Sequence, residues 1–313
     1  MLRRSVLLLA LLLSGAVQAE PFVLGTSNQA ALARHAPLPT PQADATGSGL
    51  RLSLDWTNEF VLDQRGTEAL LLDGETLRLN LAARWNWRGW LLGAELPVLN
   101  TSGGVLDSPI ESWHQFFGLP NGNREDEPRK QYRDVYQRNG QTLLDLDSGK
   151  TGIGDARLSL ARCGAAGCWR GLLQLPTGDA ERLMGGGLGG ALWYERPYAF
   201  AAGGAWSGAL AAGVAAVRAD GPLQDQQRQF IPFGWASLGY QLLARLELGA
   251  QFYLHGPLYS DSELAALRRP GGQLAFGLRY RPTPQTSLWL GAQEDPIIES
   301  SPDFSIHLAV DWH

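Results

Sequence analysis

The sequence predicts an all-β fold: a transmembrane, antiparallel up-and-down β-barrel of about twelve strands, with one long extracellular insertion carrying a short helix. Three observations carry that prediction. Phe304-Ser305-Ile306-His307-Leu308-Ala309-Val310-Asp311-Trp312 alternates apolar and polar residues without a break, so a strand there has one greasy and one wettable face. The chain opens with the marks of export: Arg3 and Arg4, an apolar run from Val6 to Leu13, and Val17-Gln18-Ala19 as a cleavage site before Glu20. It holds 38 Gly and 11 Trp at a mean hydropathy of only −0.14, as expected when two opposite strand faces cancel.

The leader's apolar run is far short of the roughly 20 residues a helical span needs, so residues 1–19 read as a cleaved secretion signal. Leu13-Ser14-Gly15-Ala16 has alanine where a lipid anchor requires cysteine. A barrel crosses the inner membrane unfolded, so Arg3-Arg4 fits ordinary secretion better than folded, twin-arginine export. Residues 20–48 show no clean period and carry Pro37, Pro39 and Pro41, which suits a periplasmic segment or plug ahead of a barrel over 49–313.

The strands follow in order. Leu50, Leu52, Leu54 and Trp56 share one face against Arg51, Ser53, Asp55 and Thr57. Leu77, Leu79, Leu81, Ala83, Trp85 and Trp87 repeat the pattern, and Trp90, Leu92, Ala94, Leu96 and Val98 make a third strand after only Arg88-Gly89. An insertion over about 100–151 interrupts the rhythm before Ala156, Leu158 and Leu160 resume it. Further strands are expected at 169–176, 187–196, 207–218, 229–241, 245–255, 272–281, 286–295 and 303–313. Tight links alternate with long ones, the short-turn, long-loop asymmetry of outer-membrane barrels. Trp56, Trp85, Trp87, Trp90, Trp169, Trp193, Trp289 and Trp312 are expected on the apolar side as interfacial girdles, which disfavours a soluble sandwich.

Cys163 and Cys168 bracket Gly-Ala-Ala-Gly in an exported chain, so a small disulfide ring across a turn is expected, with a metal pair as the alternative. A net charge of −5 argues against nucleic acid as a partner. The expected partners are outer-membrane lipid and lipopolysaccharide, the barrel-assembly machinery, periplasmic chaperones and an unidentified small solute. No phosphate loop, dinucleotide fingerprint or haem motif is present, so no cofactor is expected.

Several stretches resemble an uncharacterised family of Gram-negative outer-membrane proteins, domain of unknown function 3187. They are Gly74-Glu75-Thr76-Leu77-Arg78, Glu95-Leu96-Pro97 and Gly103-Gly104-Val105-Leu106-Asp107-Ser108-Pro109-Ile110-Glu111, then His114 with Phe117-Gly118-Leu119-Pro120. The resemblance continues through Thr151-Gly152-Ile153-Gly154-Asp155, Leu175-Pro176-Thr177-Gly178-Asp179 and Ser260. It implies a barrel and passes on no catalytic residues. One departure is the ending, where Trp312 is followed by His313 rather than closing the chain.

Three constellations could carry function. In the insertion, Leu106, Ile110, Trp113 and Phe117 form one apolar helical stripe, and Asp107, Glu111 and His114 an adjoining polar one. The polar stripe reads first as a water- or lumen-facing surface and second as a metal or ligand site. The helix is expected to be a lid or constriction, and the mixed-charge run Asn123 to Lys130 a surface loop near lipopolysaccharide. Arg51, Asp55, Arg78, Arg84, Glu95, Asp155, Arg157, Glu247 and Arg279 all fall on polar strand faces, where they would fill a narrow lumen or line a path for solute. His255, Ser260, Asp261 and Ser262 offer hydrolase chemistry without a nucleophile elbow around them. The favoured function is passive or gated passage of a small solute. The alternatives are a non-transporting filled barrel and a lipid-modifying enzyme.

Overall fold

The structure is a computed structural model that describes residues 21–42, 47–118, 124, 127–200, 204–297 and 300–313; the expected secretion signal lies outside them. Alternating faces produce one sheet of fifteen strands. These are β1 (Gly49–Arg65), β2 (Glu68–Trp87), β3 (Trp90–Ser102), β4 (Arg133–Arg138), β5 (Gln141–Leu146), β6 (Thr151–Ile153), β7 (Ala156–Gly164), β8 (Gly167–Leu175) and β9 (Gly189–Phe200). They continue with β10 (Trp206–Val217), β11 (Phe230–Leu243), β12 (Leu246–His255), β13 (Gly271–Thr283), β14 (Thr286–Ile297) and β15 (Phe304–Trp312). Twelve close a ring in the order β1-β2-β3-β7-β8-β9-β10-β11-β12-β13-β14-β15, with β15 paired back onto β1. β6 prolongs β7 along β3. Every pairing is antiparallel, and all twelve expected strands are present.

The closing seam shows how the pattern sets the register. Leu52 faces Val310 and Leu54 faces Leu308 on the outside, while Ser53 faces Ala309 and Asp55 faces His307 within. A one-residue slip would put every carboxylate of the seam onto the apolar outer face. The same division runs along β2, where Leu79 is 45 % exposed and Asn80 3 %. Outward Trp85, Trp87, Trp169, Trp206 and Trp312 gather at the short-turn end, where Trp169 meets Tyr194 and Trp206 meets Tyr240 at 5.2 and 4.7 Å.

Two tryptophans correct the girdle. Trp193 and Trp289 point inward and are 4 % and 3 % exposed, because Leu192 and the Leu288/Leu290 pair take the outward positions of their strands. Inside, the Trp289 indole donates to Asp311 Oδ2 at 2.6 Å, which an outward ring could not do.

Arg88-Gly89, at φ 51° and 81°, makes the two-residue β2–β3 turn. Cys163 and Cys168 are cross-strand partners flanking the β7–β8 turn and form the expected disulfide. At the long-loop end β1 and β2 run on past the ring to a tight turn at Gly66-Thr67. The insertion holds helix α1 (Asp107–Phe117) and the hairpin β4–β5, which adds onto the overhang of β2. Asn139-Gly140, at φ 53° and 75°, turns that hairpin, a two-residue turn signal lying inside the insertion.

Candidate functional site

Residues 21–42 lie in the middle of the ring with nearly every side chain buried, among inward groups of strands on all sides. The segment runs in along one leg, turns at Ala31–Ala33, and returns along a second leg to Gln42. Among the described residues, no strand pairs with it.

On the first leg, Phe22 stands edge-on to Trp289 at 5.5 Å. Leu24 N–H donates to Gln251 Oε1 at 3.1 Å, and its carbonyl accepts from Arg51 Nη2 at 2.9 Å. Thr26 Oγ1 donates to Gln293 Oε1 at 3.1 Å. Asn28 Nδ2 lies 2.7 Å from His255 Nε2, whose Nδ1 lies 2.8 Å from Gly256 O. Ala31 N–H donates to Glu59 Oε2 at 2.8 Å, and the Tyr259 hydroxyl to Leu32 O at 2.7 Å.

The second leg is held through its carbonyls. Gln174 Nε2 donates to His35 O at 2.9 Å, Arg157 Nη1 to Leu38 O at 3.1 Å, and the Tyr253 hydroxyl to Pro39 O at 3.2 Å. Gln42 bridges Glu95 and Arg170 at 3.3 and 3.5 Å. Three luminal cavities between the segment and the wall offer about 10, 30 and 20 Å³, room for one to three waters each.

The nine lumen candidates are brought together inside the ring, where some pair with one another and others with neighbouring groups. Asp55 accepts from His307 Nδ1 at 2.7 Å and faces Arg78 at 3.7 Å. Arg51 pairs with Asp311 at 2.7 Å and donates to His307 Nε2 at 3.0 Å. Arg279 pairs with Glu247 beneath the Trp289 ring, 4.9 Å from its centroid. Asp155 accepts from the N–H groups of Gly178, Gly186 and Gly187 at 2.9, 2.9 and 3.1 Å. Arg84, Glu95 and Arg157 line one small cavity against Gln42. Sequence reasoning missed Arg170, which pairs with Glu195 at 3.1 Å; Arg-Gly after Trp169 gave the strand but not its inward charge.

The insertion divides. Helix α1 is tied to outward positions of β1 and β2: Glu75 accepts from the N–H groups of Val105 and Leu106 and from Trp56 Nε1, and Asn58 Nδ2 reaches Asp107 at 3.4 Å. Leu106 and Ile110 are buried; the side chains of Trp113, His114 and Phe117 lie outside the described ones. Asp107 and Glu111 are held separately by Arg124 and Arg129. These contacts set the start of α1 on the flank of the wall rather than over the lumen.

The mouth is spanned instead by β4–β5. Tyr136 hydrogen-bonds Gln226, in the β10–β11 loop, six places round the ring from β2. Glu68 accepts from Ser262 Oγ at 2.5 Å and Glu263 N–H at 2.9 Å, joining the overhang to the β12–β13 loop. Ser260 donates to Gln226 O, so the serines and His255 considered for hydrolysis are committed to different partners. Beside Leu72 in the cap, burial pushes the Asp134 carboxyl up to about 6, against a hydrogen bond from the Tyr132 hydroxyl at 2.8 Å.

A family model described as "Protein of unknown function (DUF3187)" matches residues 4–313. The chain belongs to that family. No curated protein matches this DUF3187 chain in sequence. Its fold is similar to that of the COG4313 outer membrane channel from Pseudomonas putida F1, at TM-score 0.52 and 11 % identity over 87 % of this chain and 97 % of that one. It is also similar to the NanC porin, at TM-score 0.43 and 9 % identity over 85 % and 100 % of the two chains. The Pseudomonas putida toluene transporter TodX gives 0.42 and 12 % over 96 % and 99 %.

Proposed function

We propose that this DUF3187 barrel is a gated channel for small solutes in the Gram-negative outer membrane, shut at rest by its own residues 21–42. One observation carries the reading. The luminal segment is held by side-chain hydrogen bonds and packing and by no strand pairing, so it can leave without breaking the sheet. A buried segment bound so differently from the wall is the kind of element that opens at low local cost. Once it leaves, Arg51, Asp55, Arg78, Arg84, Glu95, Asp155, Arg157, Glu247 and Arg279 line the vacated path with charge of both signs.

Single-channel recording in planar bilayers tests this. Wild-type protein should show rare openings, and a chain lacking 21–42 should show sustained ones. A folded deletion variant that stays silent would favour the second reading, a filled barrel that transports nothing, which the small residual cavities support.

A further inference from the structure

Resting on the plug reading above, the geometry points to the class of solute. The second leg presents an apolar side chain, Leu38, in one buried cluster with Trp193, Phe233, Trp235 and Tyr253. Those rings form a continuous ladder: Phe233 stacks on Trp235 at 6.2 Å and Trp235 on Tyr253 at 5.8 Å, both within 8° of parallel. At the same point the leg presents two oxygens, Leu38 O to Arg157 and Pro39 O to the Tyr253 hydroxyl. An apolar body on stacked rings, with adjacent oxygens on a guanidinium and a phenol, is the outline of a ring-bearing carboxylate.

Charge gives the sign. Arg51, Arg78, Arg170 and Arg279 each have a carboxylate within 4 Å. Among the described residues Arg157 has no carboxylate within 4 Å, its cross-strand partner Glu95 lying farther off; beyond Leu38 O it donates from Nε to the neutral Gln174 Oε1 at 3.1 Å. When the leg leaves, a half-buried cation loses a neutral acceptor that a carboxylate replaces with a stronger, charge-assisted bond. Trp235 Nε1 is buried with no partner among the described residues, a donor in the ladder that the leg does not use. We propose that Leu38 and Pro39 are a tethered stand-in for the solute. The channel then takes small monocarboxylates bearing an apolar ring, with the ring on the Trp235–Tyr253 stack and the carboxylate on Arg157 and Tyr253.

Uptake into proteoliposomes tests this with benzoate, acetate, benzyl alcohol and glucose as probes. The proteins compared are wild type, a variant with 37–42 replaced by Gly and Ser, and the same variant with Arg157→Gln. The leg variant should pass benzoate about tenfold faster than benzyl alcohol or glucose, and Arg157→Gln should erase most of that preference. Equal passage of all four probes would overturn the solute class and leave the gated channel standing. A folded leg variant closed to every probe would overturn both. Should the leg variant fail to assemble, benzoate added to wild-type channels should raise their opening frequency about threefold by competing with the leg, while glucose should not. No response to benzoate there overturns the proposal.

Discussion

The Tyr253 hydroxyl donates to the Pro39 carbonyl at 3.2 Å, and that bond joins the wall of the ring to a leg that, among the described residues, pairs with no strand. One residue earlier Arg157 does the same for Leu38 at 3.1 Å. Two successive peptide carbonyls are thus satisfied by side chains on β12 and β7. A buried carbonyl left without a donor costs about 1–3 kcal/mol.

Tyr253→Phe combined with Arg157→Gln should therefore loosen the leg without touching the sheet. The open fraction in bilayer recordings should rise by about tenfold or more. Unchanged opening with normal heat-modifiable mobility would mean that the leg is not the gate.

Gly291 offers a steric route to the same end. A Cβ there would stand 2.9 Å from Leu24 Cδ2, and the nearest wall backbone atom, Phe276 O, is 3.2 Å away. Gly291→Val overpacks the plug more than the wall, at about 1–3 kcal/mol. Conductance should increase and barrel assembly should persist. A variant that assembles and conducts like wild type argues that the first leg has room to shift.

Glu75, on the outer flank of β2, anchors the start of the insertion through the N–H groups of Val105 and Leu106 and is itself held by Trp56 Nε1 of β1. Glu75→Ala should free residues 103–117 and raise their cleavage by protease at least about fivefold, since local opening governs cleavage. Conductance should not change, because the helix is bonded to the flank. Higher conductance in this variant would restore the helix as a lid.

Much of the barrel was legible because a period of two records burial directly: lipid and lumen demand opposite chemistry from neighbouring residues. The seam strand Phe304–Trp312 is the clearest case, since its four inward residues Ser305, His307, Ala309 and Asp311 all find inward partners. The overhangs of β1 and β2 and the β4–β5 hairpin were less legible. Beyond the twelve-strand ring both faces are covered by protein, so Asn58, Phe60, Glu68 and Asp73 are buried whichever way they point. Trp193 and Trp289 misled for a related reason, as an indole suits a girdle or a filled lumen equally. The lumen charges were visible one by one, but their pairing depends on which strands face each other across the ring.

Asp134 makes the cap responsive to pH. Its carboxyl is raised from 3.8 to about 6 by burial, so the folded cap binds the proton more tightly than the unfolded chain does. The stability this contributes is full below about 3.8 and is lost as pH rises through about 6. Protection of the amides across 133–146, relative to their intrinsic exchange rates at each pH, should be greater at pH 4.5 than at pH 7, and Asp134→Asn should flatten the difference. Identical protection at both pH values in the wild-type chain would remove Asp134 as the cause.

The inward–outward assignment itself is open to a paired test on β2. Leu79 is 45 % exposed on the outer face and Asn80 3 % exposed on the inner one. An arginine on the lipid face near mid-membrane costs about 2–4 kcal/mol, and nothing in hydrocarbon offers its five donors a partner. At Asn80 the same side chain crowds a lumen that already accommodates Arg51 and Arg84 around a small cavity, where carbonyls and carboxylates can receive it. Leu79→Arg should therefore lower the folded fraction on unboiled gels much more than Asn80→Arg. Both proteins are made with the same signal and charge, so export and net charge cancel in the comparison. Equal tolerance of the two changes would mean that the outer face does not meet lipid, and the membrane reading of the barrel would fall with it.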